Sequence, residues 1–184
     1  MKQDLLAKIE IPEGVEVEMK ESMLIIKSGE RKLERKFNPE NILIKKKDGN
    51  IILESKKATK RESKMLHTIK AHINNMISGV QEDFEYTLEI AHSHFPMNVN
   101  IDESKNKMII KNFIGEKKER NVNLIEGASV EVKGNLITVK SPDKEIAGQT
   151  AANIEKATHI RKKDRRKFQD GIYIIQKGRK KNEN

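Results

Sequence analysis

Apolar residues fall along this chain in two patterns. Val15-Glu16-Val17-Glu18-Met19 and Met97-Asn98-Val99-Asn100-Ile101 alternate apolar with polar, the period of two that a half-buried strand requires. The two runs belong to a wider echo, in which the second half of the chain follows the first at an offset of about 85 residues. Ile25-Ile26-Lys27 returns as Ile109-Ile110-Lys111, and Gly29-Glu30-Arg31-Lys32 as Gly115-Glu116-Lys117-Lys118. Asp48-Gly49-Asn50-Ile51-Ile52 matches Lys133-Gly134-Asn135-Leu136-Ile137, each a glycine-containing turn between strands and so a hairpin signal.

Each half then changes to the helical period. Thr59-x-x-Glu62 reads as a capping box, and Met65, Leu66, Ile69, Ile73, Met76, Ile77 and Val80 recur at three- and four-residue steps. Gly79 is placed to end that helix in a left-handed cap. In the second half Ser141 is the expected N-cap, Pro142 the first helical residue, and Ile146, Thr150, Ala151, Ile154 and Ala157 the buried face. A closing strand is predicted after each helix, at 84–91 and at 171–176. The expected fold is therefore α+β, two duplicated domains each formed by an antiparallel sheet with one packed helix. The boundaries predicted are 1–92, 93–177 and a short basic tail, 178–184. Domains of under 100 residues bury a modest share of their surface, so a deep closed active site is not expected.

Composition narrows the function classes. Charged residues make up 35% of the 184, against roughly 25% in an average globular protein, and cysteine is absent. Disulfides, thiolate metal sites and cysteine nucleophiles are thereby excluded. No apolar run approaches the length of a membrane span, and the first residues lack the apolar stretch of a signal peptide, so a cytoplasmic protein without membrane contact is expected. The net charge is +9, and residues 156–184 hold eleven basic and three acidic residues, nearly all of the excess. Such a segment on an otherwise neutral chain suits a polyanion, and nucleic acid rather than membrane because no wide apolar helix face accompanies it.

Catalytic signals are weak. Neither a Gly-rich dinucleotide loop nor a phosphate-binding G-K-[ST] occurs. His92 and His94 lie on one side of an extended segment without further ligands of metal-binding spacing, so no metal or cofactor is expected. Ser141-x-x-Lys144 formally matches a nucleophile motif, but helix capping explains it. The reading is a binding protein and not an enzyme.

The binding residues predicted are Arg161, Lys162, Lys163, Arg165, Arg166 and Lys167, between the second helix and the closing strand, and Lys177, Arg179, Lys180 and Lys181 at its end. Arginine donates paired hydrogen bonds to phosphate, and lysine supplies point charge. Phe168 and Tyr173 flank the first run. Core packing is the reading adopted for both, with base stacking as the alternative. Asp170-Gly171 reads as the turn that starts the last strand.

In these residues the chain resembles the large-subunit ribosomal protein L-six family, in its archaeal and eukaryotic branch. The resemblance rests on Ala147-Gly148-Gln149-Thr150-Ala151-Ala152-Asn153-Ile154-Glu155, on Arg161 to Arg166, and on Phe168-Gln169-Asp170-Gly171-Ile172-Tyr173, with His94-Phe95-Pro96-Met97 and the duplication in support. Lys156 stands where that branch usually has glutamine, and the bacterial branch's lysine- and glycine-rich C-terminal pattern is not reproduced. The resemblance implies a structural protein of the large subunit that binds rRNA mainly through its C-terminal domain. It places the protein near the stalk base, the sarcin-ricin loop and the translation-factor site, with neighbouring ribosomal proteins and translation factors as further partners. A free-standing nucleic-acid-binding module is the alternative the residues themselves leave open.

Overall fold

The computed structural model describes residues 3–179 except positions 48, 162 and 165. The chain divides into two units, Met1–Glu82 and Asp83–Asn184. In the first, strands β1 (Gln3–Glu10), β2 (Glu16–Lys20), β3 (Met23–Ser28), β4 (Arg31–Lys36), β5 (Leu43–Lys47) and β6 (Asn50–Ala58) precede helix α1 (Lys60–Gln81). They form two antiparallel three-stranded sheets, ordered β1-β6-β5 and β2-β3-β4. The helix starts as its sequence dictates, with Thr59 and Glu62 closing a reciprocal capping box. Its apolar stripe buries Leu66, Ile69, Ile73 and Val80 in one core with Ile26, Ile51 and Leu53.

The second unit contains β7 (Phe84–Ala91), β8 (Asn98–Asp102), β9 (Lys107–Lys111), β10 (Arg120–Asn123), β11 (Ser129–Lys133), β12 (Leu136–Ser141), α2 (Lys144–Ala157) and β13 (Gly171–Arg179). Its sheets are ordered β10-β9-β8 and β11-β12-β7-β13. Ala147, Thr150, Ala151 and Ile154 of α2 are buried, and its small residues bring the helix close to the sheet. The duplication is visible strand by strand, because β7-β12-β11 repeats β1-β6-β5 and β8-β9-β10 repeats β2-β3-β4. Gly49 and Gly134 hold φ of 71° and 59° in the two equivalent hairpin turns, a backbone region open to glycine without a Cβ clash.

Three expectations change. β7 does not close the first unit: it pairs with β12 on one side and β13 on the other, so the boundary at residues 92 and 93 moves to 82 and 83. Each unit thus opens with a strand, and β13 is an addition to the second. Gly79 is not a cap, since α1 runs on through it to bury Val80 and ends at an extended Glu82. The N-cap of α2 is Asp143, whose side chain accepts the Glu145 N–H at 2.8 Å. Ser141 ends β12 instead, its buried hydroxyl donating to the Gly127 carbonyl at 2.8 Å.

Candidate nucleic-acid interface

Thirteen residues, 158–170, connect α2 to β13, and both of their ends are fastened. At the helix end the Thr158 hydroxyl donates to the Glu155 carbonyl and accepts the Ile172 N–H at 2.8 Å. The Glu155 carboxylate accepts the Ile174 N–H at 3.2 Å. Arg120 reaches in from β10 and donates to the carbonyls of Ala157 at 2.6 Å and His159 at 3.4 Å, satisfying groups that a helix C-terminus leaves unpaired. Its guanidinium lies 4.2 Å over the Phe113 ring and holds Glu116 with two further hydrogen bonds, which keep that carboxyl below its ordinary pKa.

At the strand end Asp170 is buried and accepts four hydrogen bonds, from the Ser93 N–H and hydroxyl and from the His94 N–H and Nδ1, at 2.9 to 3.2 Å. Burial disfavours its charge, yet those donors outweigh burial and lower its pKa to about 2. Between the ends, the Asp164 carbonyl accepts the N–H groups of Lys167 and Phe168 and closes a turn. Phe168 packs half-buried against the core of the second unit, 5.1 Å from the His94 ring, with the Lys163 ammonium 4.9 Å from its own ring centre. The loop is thus a surface arc fastened at two ends and packed through Phe168 near its strand end.

The predicted binding residues divide accordingly. Arg161, Lys163, Arg166 and Lys167 are all exposed on this loop. Their charges are not equivalent: Arg166 donates from Nε and Nη2 to the Asp164 carboxylate at 3.1 and 2.9 Å, whereas Arg161 has no ion-pair partner among the described residues. The Arg166 guanidinium in turn holds the Asp164 carboxyl below its ordinary value. Lys177, exposed on β13, and Arg179, the last residue of that strand, are not gathered with the loop. Lys177 lies six residues beyond Gly171, roughly 20 Å along a strand. Lys162, Arg165, Lys180 and Lys181 fall outside the described residues.

Of the two aromatic residues expected in the core, Phe168 packs there, but Tyr173 does not. Tyr173 is 40% exposed on the outward side of β13, while Ile172 takes the buried side. Its hydroxyl donates to the Gln169 carbonyl at 2.9 Å. Beside it, between the end of α2 and β13, runs a groove of about 290 Å³ lined by Lys156, Thr158, His159, Ile160 and Tyr173 among others. Sequence reasoning missed the structural parts of the site, Arg120 and Asp170, because their partners lie far away in the chain. Elsewhere, no three His, Asp or Glu side chains converge as metal ligands among the described residues. No helix among them is long and apolar enough to cross a membrane.

The family model for ribosomal protein L6 matches the chain twice, over residues 11–83 and 95–171. The large ribosomal subunit protein uL6 of Methanococcus vannielii is 44% identical over 173 residues, 94% of each chain. The uL6 of Methanobrevibacter smithii is 43% identical over 92% of this chain and 94% of its own, and that of Aeropyrum pernix 41% identical over 94% of each. With both halves matched and identity maintained almost from end to end, the chain belongs to the ribosomal protein L6 family, in its archaeal type.

Proposed function

We propose that this protein seats its second unit on large-subunit rRNA through the exposed cations of the 158–170 loop, near the stalk base, the sarcin-ricin loop and the translation-factor site. As a member of its family it is a structural component of the large ribosomal subunit in the cytoplasm, not an enzyme. The observation that carries the finer reading is the concentration of charge: of the eleven basic residues over 156–184, six fall on the 158–170 loop, against two acidic residues there, and that loop is fastened at both ends. A fastened loop loses little conformational entropy when its cations meet phosphates, and each contact releases condensed counterions. Lys177 and the basic residues beyond it supply a second, separate contact. Neighbouring ribosomal proteins and translation factors are further partners on this reading.

Sedimentation of a cell lysate through sucrose gradients at low and high salt tests it. The protein should travel with large subunits at low salt, and replacement of Arg161, Arg166 and Lys167 by Ala should release it at a lower salt concentration than wild type. Wild-type protein remaining at the top of the gradient would instead support a free-standing nucleic-acid-binding module.

A further inference from the structure

We propose that Tyr173 is a stacking platform for an unpaired RNA base, and that the adjoining groove takes the sugar-phosphate of the same nucleotide. The inference rests on the rRNA-binding reading and adds to it a base-stacking contact at the start of β13, beside the basic loop.

Orientation carries the argument. An exposed tyrosine ordinarily samples several rotamers, but this one is held by two contacts at the hydroxyl end of its ring. The hydroxyl is tied to the Gln169 carbonyl at 2.9 Å. The ring also packs over Gly171, so closely that a Cβ at that position would lie 3.1 Å from Tyr173 Cζ and 3.1 Å from its hydroxyl. A flat aromatic face held on the surface before binding costs little further order when a base stacks on it.

The surroundings separate base from phosphate. On the groove side, Lys156 and His159 are exposed at the end of α2, and Arg161 follows two residues later. Glu155 also lines the groove as a carboxylate, one oxygen accepting the Ile174 N–H at 3.2 Å, so the phosphate is held on the side of Lys156 and Arg161, away from it. On the other side, Glu89 of β7 stands directly across the ladder from Tyr173 and is exposed. A carboxylate there repels phosphate and leaves the ring face to an uncharged partner, while Lys156 in the groove and Arg161 beside it hold the backbone. Ile160 and the methyl-bearing Thr158, whose hydroxyl is already engaged by Glu155 and Ile172, complete a floor against which a ribose can pack.

Because the chain has no tryptophan, Tyr173→Trp in the full-length protein creates a single fluorescent reporter at the platform. The probes are deproteinised large-subunit rRNA and a fully paired RNA duplex of 20 base pairs. Quenching by rRNA and not by the duplex is expected. Tyr173→Leu should lower rRNA affinity roughly five- to hundredfold, with duplex affinity and the salt dependence unchanged, because no charge is lost. Tyr173→Phe should retain most of the affinity. If wild type binds rRNA but Tyr173→Leu binds within twofold and the reporter is not quenched, the platform is refuted while the rRNA reading survives. Wild type binding neither RNA overturns both. Should Tyr173→Leu fail to fold by circular dichroism, the reporter decides: absence of quenching in a folded, rRNA-bound Tyr173→Trp protein refutes the platform.

Discussion

At Asp170 a single carboxylate, 2% exposed, holds the start of β13 to Ser93 and His94, 77 and 76 residues away in the chain. Its folded pKa of about 2 lies below the unfolded value of about 3.9, so the bond network contributes fully above about pH 4 and is lost as pH falls toward 2. That difference corresponds to about 2 to 3 kcal/mol. Asp170→Asn should therefore destabilise the protein by about 2 kcal/mol or more in urea unfolding at pH 7, since an amide leaves one of the buried donors facing another. The gap between the two proteins should narrow at pH 2; a gap independent of pH would mean that the charge of Asp170 does not carry the effect. A second contrast belongs to the arginines. Arg161→Ala should cost about tenfold in rRNA affinity and Arg166→Ala distinctly less, because Asp164 already engages two nitrogens of Arg166. Equal losses in a filter-binding assay would mean that the Arg166–Asp164 pair opens on binding.

The elements differ in how far they could be read from local sequence. The capping box of α1 and the two glycine hairpins depend on neighbouring residues alone, and they form as expected. The N-cap of α2 did not follow, because Ser141 and Asp143 are both good caps and the choice is made by a distant carbonyl, that of Gly127, which takes the serine. The run from Ile172 to Ile175 is apolar on both parities, so alternation could not say that Tyr173 faces outward. For the 158–170 loop, charge was legible but its fastening was not, since Arg120 and Ser93 are remote in sequence from the groups they bind. A loop of this kind should bind by charge. With about six to ten phosphates met, affinity should fall by roughly 10³ to 10⁵ between 50 and 200 mM salt, and the slope should flatten by about two to three in the Arg161, Arg166, Lys167 triple Ala variant. A slope that the triple variant leaves unaltered would place the principal contact elsewhere.

For the molecule as a whole, the assignment of β7 to the second unit governs how the chain can be divided. A fragment of residues 1–82 holds all the strands of its two sheets together with α1 and should unfold cooperatively on its own. Extending it to residue 92 adds a strand whose Phe84, Leu88 and Ile90 are buried only when β12 and β13 are present. The longer fragment should therefore aggregate more readily, as an unpaired apolar strand does. Equal solubility of the two by size-exclusion chromatography would argue against the boundary at 82. The shorter fragment should also bind rRNA weakly, since nearly all of the excess charge lies beyond residue 155.

The pairing of β7 with β13 also sets a clock on synthesis. The first unit is complete once residue 82 has left the ribosome that makes it, but β7 must then wait for its second neighbour until residues 171–179 emerge. At about 5 to 20 residues per second, that interval is roughly 5 to 20 seconds. The basic loop is itself completed only late in that interval, because Asp170, its hold on Ser93, is its last residue. A nascent or prematurely terminated chain thus carries a finished first unit and an incomplete second one. On the rRNA-binding reading proposed above, a chain cut short before Asp170 should fail to sediment with large subunits, so that completion of the polypeptide itself separates whole chains from partial ones.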